Sequence, residues 1–259
     1  MEVGRAAKSN APAAGVVPQE IKIVSYNMRW RGGKELRAII RLLREDAEVG
    51  GASIIGLQEA DRGRERSGEI NTARLIADEL GMSYAWAAPP RSTGDAETED
   101  ETGVALLSVY PLTDVERIVL PHPGPGERRR VALGATVAKG KTSVRVYCVH
   151  AETRITIEQK IAQQRAVLDA LDMRPAITRA VVLGDFNTWE AEAASETEKL
   201  FTGAGFSTPF LHDQATWKTF IVELRLDWLW LRGLDPTAHG IARHIKFSDH
   251  WPLWVKVKL

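Results

Sequence analysis

The chain has 259 residues, 44% of them hydrophobic and 26% charged, the balance of a folded globular protein and not of a disordered or fibrous one. Lys plus Arg and Asp plus Glu number 34 each, so the formal charge is zero and no global field draws the chain to nucleic acid or to an anionic surface. A lone cysteine, Cys148, excludes an internal disulfide, a cysteine-rich zinc site and a Cys-x-x-Cys redox pair. Its place inside a valine-rich run marks it as a small buried apolar residue.

Residues 1–20 are rich in Ala, Pro, Gly and Val and lack the apolar core of a secretory signal, so a flexible leader is expected there and one domain over 21–259. No apolar run is long enough for a membrane-spanning helix, which predicts a soluble chain of open compartment. In chain order, the pattern predicts a strand at 21–26, a helix at 35–48, a strand at 53–57 and a helix at 71–80 closed by Gly81. Strands follow at 104–108, 131–137 and 143–149, then a helix at 157–171 and a strand at 180–183. A helix at 191–202 closed by Gly203 precedes strands at 224–231 and 251–257. These strands exceed what one parallel sheet with four crossover helices needs. Two stacked sheets with helices outside, an α+β arrangement, fit better.

Some segments mislead or stay bland. Five acids at 95–101 make a solvated loop. The stretch from Gly134 to Thr142 imitates a phosphate-binding loop, but five residues separate its glycines and a strand-like run follows where a helix is needed. It reads as a hairpin turn. His122, His212, His239 and His244 lie in loop-like surroundings with no assigned role.

The informative pattern is that apolar strands repeatedly run out onto groups able to hold a metal, a phosphate or a proton. Asn27 follows one strand, Glu59 another and His150 a third. Val181-Val182-Leu183-Gly184 delivers Asp185 and Asn187, an i, i+2 pair that extended backbone directs to one side while Phe186 turns to the core. Gly184 permits the tight exit. Asp227, set between Leu226 and Trp228, is costly to bury without a donor or cation, and His250 is the natural partner. Strand ends of adjacent sheets can converge at one edge, so these distant residues can share a pocket. Arg62, Arg64 and Arg66, close after Glu59, read either as surface arginines or as a loop facing phosphate.

In their order, Ser25-Tyr26-Asn27, Leu57-Gln58-Glu59, Val149-His150, Gly184-Asp185-Phe186-Asn187, Leu226-Asp227-Trp228 and Ser248-Asp249-His250 resemble the endonuclease/exonuclease/phosphatase superfamily. The resemblance covers 21–259 and implies a four-layer α/β/β/α sandwich of two packed mixed sheets, with the active site at one sheet edge. It implies that Glu59, Asn27 and Asp249 hold Mg²⁺ or Mn²⁺, hard cations suited to oxygen donors. By the same resemblance Asp185 activates water, and Asn187 bonds a phosphate oxygen. His150 and His250 donate to phosphate oxygens, with Asp227 holding His250. Arg64 and Arg66 are the candidate substrate-binding cations, and Glu101 is expected to reach His150 as Asp227 reaches His250.

Two departures bear on substrate. Apurinic endonucleases carry an aspartate two residues after the motif asparagine, where this chain has Arg29, and a tyrosine where it has His150. With zero net charge, these favour a divalent-metal phosphoester hydrolase acting on a small-molecule or lipid-linked substrate. The alternative is a nuclease cleaving DNA or RNA, its backbone tracked by the arginines at 62, 64, 66 and 128–130. A non-catalytic binding domain is the third reading. A phosphoester substrate is the partner implied, with nucleic acid or membrane lipid as its possible carriers, and no protein partner is implied.

Overall fold

Strand β2 (Glu20–Asn27) shows how this chain builds its layers. Ile21 and Ile23 point into one apolar core, while Val24 and Tyr26 point into another on the opposite face. Burial on both faces explains why the strands read as near-continuous apolar runs. In this computed structural model the described residues are 1–5, 20–90, 101–140, 142–211 and 213–259.

Chain order places β1 (Glu2–Gly4) before β2, then α1 (Gly33–Glu45), β3 (Ile54–Arg62), α2 (Thr72–Leu80) and β4 (Ser83–Ala87). Next come β5 (Glu101–Ser108), β6 (Leu112–Val119), β7 (Val131–Lys139), β8 (Thr142–His150), α3 (Ile157–Asp172) and β9 (Ala180–Asp185). The chain continues through α4 (Ala191–Gly203), β10 (Trp217–Thr219), β11 (Val222–Leu224), β12 (Asp227–Arg232), β13 (Pro236–Ile241) and β14 (Leu253–Lys258).

One sheet has seven strands in the order β1-β4-β5-β3-β2-β14-β13, and the second has five in the order β12-β9-β8-β7-β6. The pairs β2/β3 and β8/β9 are parallel and the other pairs antiparallel, so both sheets are mixed. Between the sheets lies the core of Ile21, Ile23, Ile54, Leu133, Cys148, Leu183, Leu229 and Val255. Helices α1 and α2 cover the outer face of the larger sheet through Leu36, Ile39 and Ile76. The outer face of the smaller sheet packs on α3 and α4 through Val167, Leu171 and Phe201. The expected four-layer α/β/β/α sandwich is the observed one.

Local chemistry sets the helix ends. The Asn71 side chain caps α2 by accepting from the Arg74 amide, and Gly81 closes it in the left-handed conformation. Thr156 and Gln159 form a reciprocal capping box on α3. Gly203, the expected stop of α4, is instead its last helical residue; Ala204 is the cap and Gly205 takes the positive φ of 78°.

Other boundaries also shift for physical reasons. Glu2–Gly4, inside the expected leader, pairs with Tyr84–Trp86 as an edge strand, and residues 6–19 lie outside the described set. Strands β6 and β13 are polar edge strands whose alternation is too weak to read. The expected strand at 224–231 starts only at Asp227, because the residues before it close the β10–β11 hairpin. The phosphate-loop imitation is the β7–β8 hairpin, with Lys139 opposite Thr142. Of the acidic segment only Glu101 is described, at the start of β5. Among the described residues no helix is long and apolar enough to cross a membrane.

Candidate active site

Three of the candidate residues are rungs of one ladder. Asp185 lies opposite His150 on β8 and opposite Asp227 on β12. Each continues the alternate row occupied lower down by Leu183, Cys148 and Leu229, which faces the inter-sheet core. On the other sheet Asn27 ends the row of Ile21 and Ile23. The apolar core thus runs out, at this edge, into a polar cluster.

Glu59 reaches the cluster by a different route. Its strand parity would send it outward, but β3 carries a bulge between Gln58 and Ala60, and Glu59 sits there with a left-handed φ of 57°. Such a backbone is uncommon for a side chain other than Gly and re-aims the carboxylate. Asn27 Nδ2 donates to Glu59 Oε1 at 3.5 Å and to Asp185 Oδ2 at 3.0 Å.

Gly184 allows the turn at the end of β9. Its φ is +135°, and a Cβ there would meet the Val149 carbonyl oxygen at 2.0 Å. Asn187 reaches the site through a left-handed backbone (φ 52°), not the extended one its spacing predicts. The Asn187 amide donates to Asp185 Oδ1 at 3.0 Å and its side chain to the Ala151 carbonyl at 2.9 Å. Phe186 turns away into the core against Phe201 and Trp228.

The two histidines are held in opposite ways. His250 Nδ1 lies 2.8 Å from Asp227 Oδ2, to which the Thr216 hydroxyl also donates at 2.8 Å. Burial opposes charge on His250, but Asp227 and Asp185 overcome it and raise its pKa to about 9. His150 Nδ1 instead faces Arg130 Nη1 at 3.4 Å. Burial first, then Arg130, His250 and Arg128, hold the His150 pKa well below the usual histidine range. Both Nε2 atoms point at Asp185 Oδ2, at 3.7 Å from His150 and 3.8 Å from His250. Burial pushes the Asp185 carboxyl up to about 7 against the pull of His250.

A cation fits beside Glu59. Its Oε2 is buried without a hydrogen-bond partner, a costly state for a carboxylate oxygen unless something positive meets it. Burial accordingly raises the Glu59 pKa. Of the other expected ligands, Asn27 Oδ1 accepts from the Arg29 amide at 3.1 Å, and Asp249 Oδ2 lies 3.1 Å from Arg29 Nη1. Asp185, Asp227 and His250 lie close enough to form a second ligand group, but Asp227 and His250 already satisfy each other. The carboxylate oxygen left unmatched in the cluster is thus Glu59 Oε2.

Glu59, His150, Asp185, Asn187, Asp249 and His250 line a cavity of about 420 Å³, which Arg29, Arg130, Trp189 and Trp217 also reach. Arg64 and Arg66 are not among its lining residues. Arg66 is held by buried Asp61 at 2.7 Å and stacks behind Trp30, while Arg62 binds Glu2 and Glu101. Buried Asp61 draws the Arg66 guanidinium back into the fold and part-buried Glu2 and Glu101 hold Arg62, whereas Arg29 and Arg130 reach the cavity. Glu101 meets Arg62, and both nitrogens of His150 face other groups, so the expected Glu101–His150 pair does not form. Thr216 carried no sequence signal, since a threonine in a loop is ordinary. Arg130 was legible only as one of three consecutive arginines.

A model of the endonuclease/exonuclease/phosphatase family matches residues 24–250. The chain belongs to this family. Its members are metal-dependent phosphoester hydrolases, which sets the reaction class of this chain. The UPF0294 protein VV2535 of Vibrio vulnificus (strain YJ016) is 28% identical over 225 residues, 81% of this chain and 68% of that protein. An endonuclease/exonuclease/phosphatase from Beutenbergia cavernae superposes with a TM-score of 0.70 at 18% identity, covering 93% of this chain and 72% of that one. TDP2 of D. rerio, complexed with a single-strand DNA product, gives a TM-score of 0.70 at 17% identity over 93% of this chain and 100% of that one. At these identities the structural matches speak for the fold.

Proposed function

We propose that this chain hydrolyses a small-molecule or lipid-linked phosphoester by attack of water on phosphorus, with Asp185 as the base. The observation that carries this reading is the convergence of Asn27 Nδ2, His150 Nε2 and His250 Nε2 on one oxygen of Asp185. A carboxylate with a pKa near 7 takes a proton from water at neutral pH far better than an ordinary aspartate. Asn187 fixes that carboxylate through its amide and bonds a phosphate oxygen.

His250, kept charged by Asp227, donates from Nε2 to a phosphoryl oxygen as negative charge grows there. His150 donates as a neutral ring: Arg130 donates a hydrogen bond to the Nδ1 lone pair, which leaves the ring's own hydrogen on Nε2. Asn27, Glu59 and Asp249 would hold Mg²⁺ or Mn²⁺. That ion supplies Lewis-acid stabilisation of the phosphoryl group. Water as nucleophile agrees with the burial of Cys148, whose thiol is pushed up to about 12.

Nuclease action is the second reading, favoured by Arg29, Arg130 and the half-exposed Trp189 at the cavity, which suit a nucleotide. The arginines expected to track a backbone count against it. Arg62 and Arg66 are paired with acids, and Arg128 and Arg130 share the single carboxylate of buried Glu152. One assay tests both readings: metal-stripped protein, resupplied with Mg²⁺ or Mn²⁺, against DNA, RNA, sphingomyelin, inositol phosphates and a chromogenic diester over a salt series. Metal-restored hydrolysis with little salt dependence supports the first reading. DNA cleavage that falls steeply with salt supports the second. No hydrolysis of any phosphoester overturns both.

A further inference from the structure

The β10–β11 hairpin projects Phe220 and Ile221 at its tip, 94% and 95% exposed, followed by Val222 at 46%. Among the described residues the first two are the most exposed large apolar side chains. An isolated exposed leucine or valine needs no explanation, but three consecutive apolar residues on a protruding tip do.

The root of this hairpin is built into the candidate active site. Trp217 and Leu224 line the cavity. The Lys218 amide donates to the Asp249 carbonyl at 2.8 Å, and Trp217 forms a bridge to His250. Each strand has three residues, which sets the tip about 10 Å beyond the root at ~3.3 Å per residue. Cations flank it: Lys218 binds Glu223, and Arg243 and Lys246 lie near enough to act on that same carboxylate. Three positive groups thus act on one negative group at the hairpin's side, Lys218 by direct contact.

We propose that this hairpin is a membrane-docking element, its apolar tip entering the interface of a bilayer that carries anionic lipids and bringing a lipid-linked phosphoester to the cavity. The substrate half of this statement rests on the hydrolase reading above; the docking half does not. Apolar side chains at a projecting tip with cations behind them match an interface of acyl chains beneath anionic headgroups. A second copy of the chain suits the tip less, because a few side chains fall far short of the ~800 Å² per partner of a stable interface. Nucleic acid also suits it less, because Ile221 and Val222 have no flat ring on which a base can stack.

The test uses the full chain, phosphatidylcholine vesicles with and without phosphatidylserine, and a Phe220→Ser, Ile221→Ser double variant. Neither residue lines the cavity, so hydrolysis of a soluble chromogenic diester is expected to be unchanged. That assay reports folding and separates a failure of the hydrolase reading from a failure of docking. Wild type is expected to co-sediment with the phosphatidylserine vesicles, and the variant to lose at least about tenfold in partitioning. A polarity-sensitive dye on Phe220→Cys, with buried Cys148 shielded from labelling, is expected to shift to the blue on the same vesicles. Equal partitioning of wild type and variant, or a dye signal that does not move, overturns the proposal. Self-association that the double variant abolishes, without vesicle binding by wild type, also overturns it and assigns the tip to a second copy. Tip-dependent retention on single-stranded DNA without vesicle binding overturns it in favour of nucleic acid.

Discussion

Arg130 Nη1 stands 3.4 Å from His150 Nδ1, the position at which His250 has a carboxylate. Two imidazoles that converge on one oxygen of Asp185 are thus shifted in opposite directions, His150 downward by burial and then Arg130, His250 upward by Asp227 and Asp185 against its burial. A guanidinium cannot accept a proton, so the Arg130 contact requires a free lone pair on His150 Nδ1.

This asymmetry predicts opposite responses to two substitutions. Asp227→Asn removes the main group holding His250 protonated, so the His250 pKa is expected to fall from about 9. The protonated donor exists below its pKa, and the alkaline limb of the rate profile should move to lower pH. Arg130→Met removes a charge that lowers the His150 pKa, so that pKa should rise. Histidine NMR titration of the two variants checks both directions, and shifts of the same sign would refute the asymmetry.

Asp185→Ala and Glu59→Ala are each expected to lower turnover by at least roughly a hundredfold, the lower range for a lost general base or electrostatic contact. Steady-state assays on purified variants with native circular dichroism decide it. A near-normal rate would remove that residue from the chemistry. Glu59→Ala should in addition weaken metal binding, read by titration calorimetry with Mn²⁺.

Gly184→Ala is expected to destabilise the fold by about 3 kcal/mol, because the new methyl group collides with backbone and occupies a φ foreign to alanine. The contact is with the Val149 carbonyl oxygen, which cannot swing aside without breaking the β8–β9 ladder. Urea unfolding midpoints measure the effect, and a wild-type midpoint would contradict the geometry.

Arg66→Ala should separate structure from catalysis. It strips the guanidinium from buried Asp61, which keeps the Thr102 hydroxyl at 2.6 Å, and a loss of roughly 1–3 kcal/mol follows from the unmet carboxylate. The KM for a small phosphoester should stay within about twofold, since a changed binding energy of 1.4 kcal/mol already means tenfold. A selective rise in KM with unchanged stability would return Arg66 to the substrate side.

The strand ends were legible in the sequence because burial of a row of apolar residues makes its polar terminus conspicuous, as at Val181–Asp185 and Ile23–Asn27. What the sequence could not reveal was partner choice among charges. Arg66 and Arg130 are equivalent in composition, yet Asp61 withdraws one from the cavity while Glu152 positions the other beside His150. The Glu59 bulge was equally hidden, since strand parity assigns that carboxylate to the wrong face. Edge strands such as β6 escaped because half their surface meets water and their alternation fades.

Thr216 belongs at once to the hairpin and to the chemistry. Its single hydroxyl accepts from the Leu226 and Asp227 amides at 3.0 and 2.9 Å and donates to the Asp227 carboxylate. Any tilt of the hairpin against its anchorage would therefore be transmitted to the His250 imidazole as a change of aim. The arm and the imidazole thus share one oxygen atom, and only a residue that keeps a hydroxyl there, as serine does, preserves all three bonds.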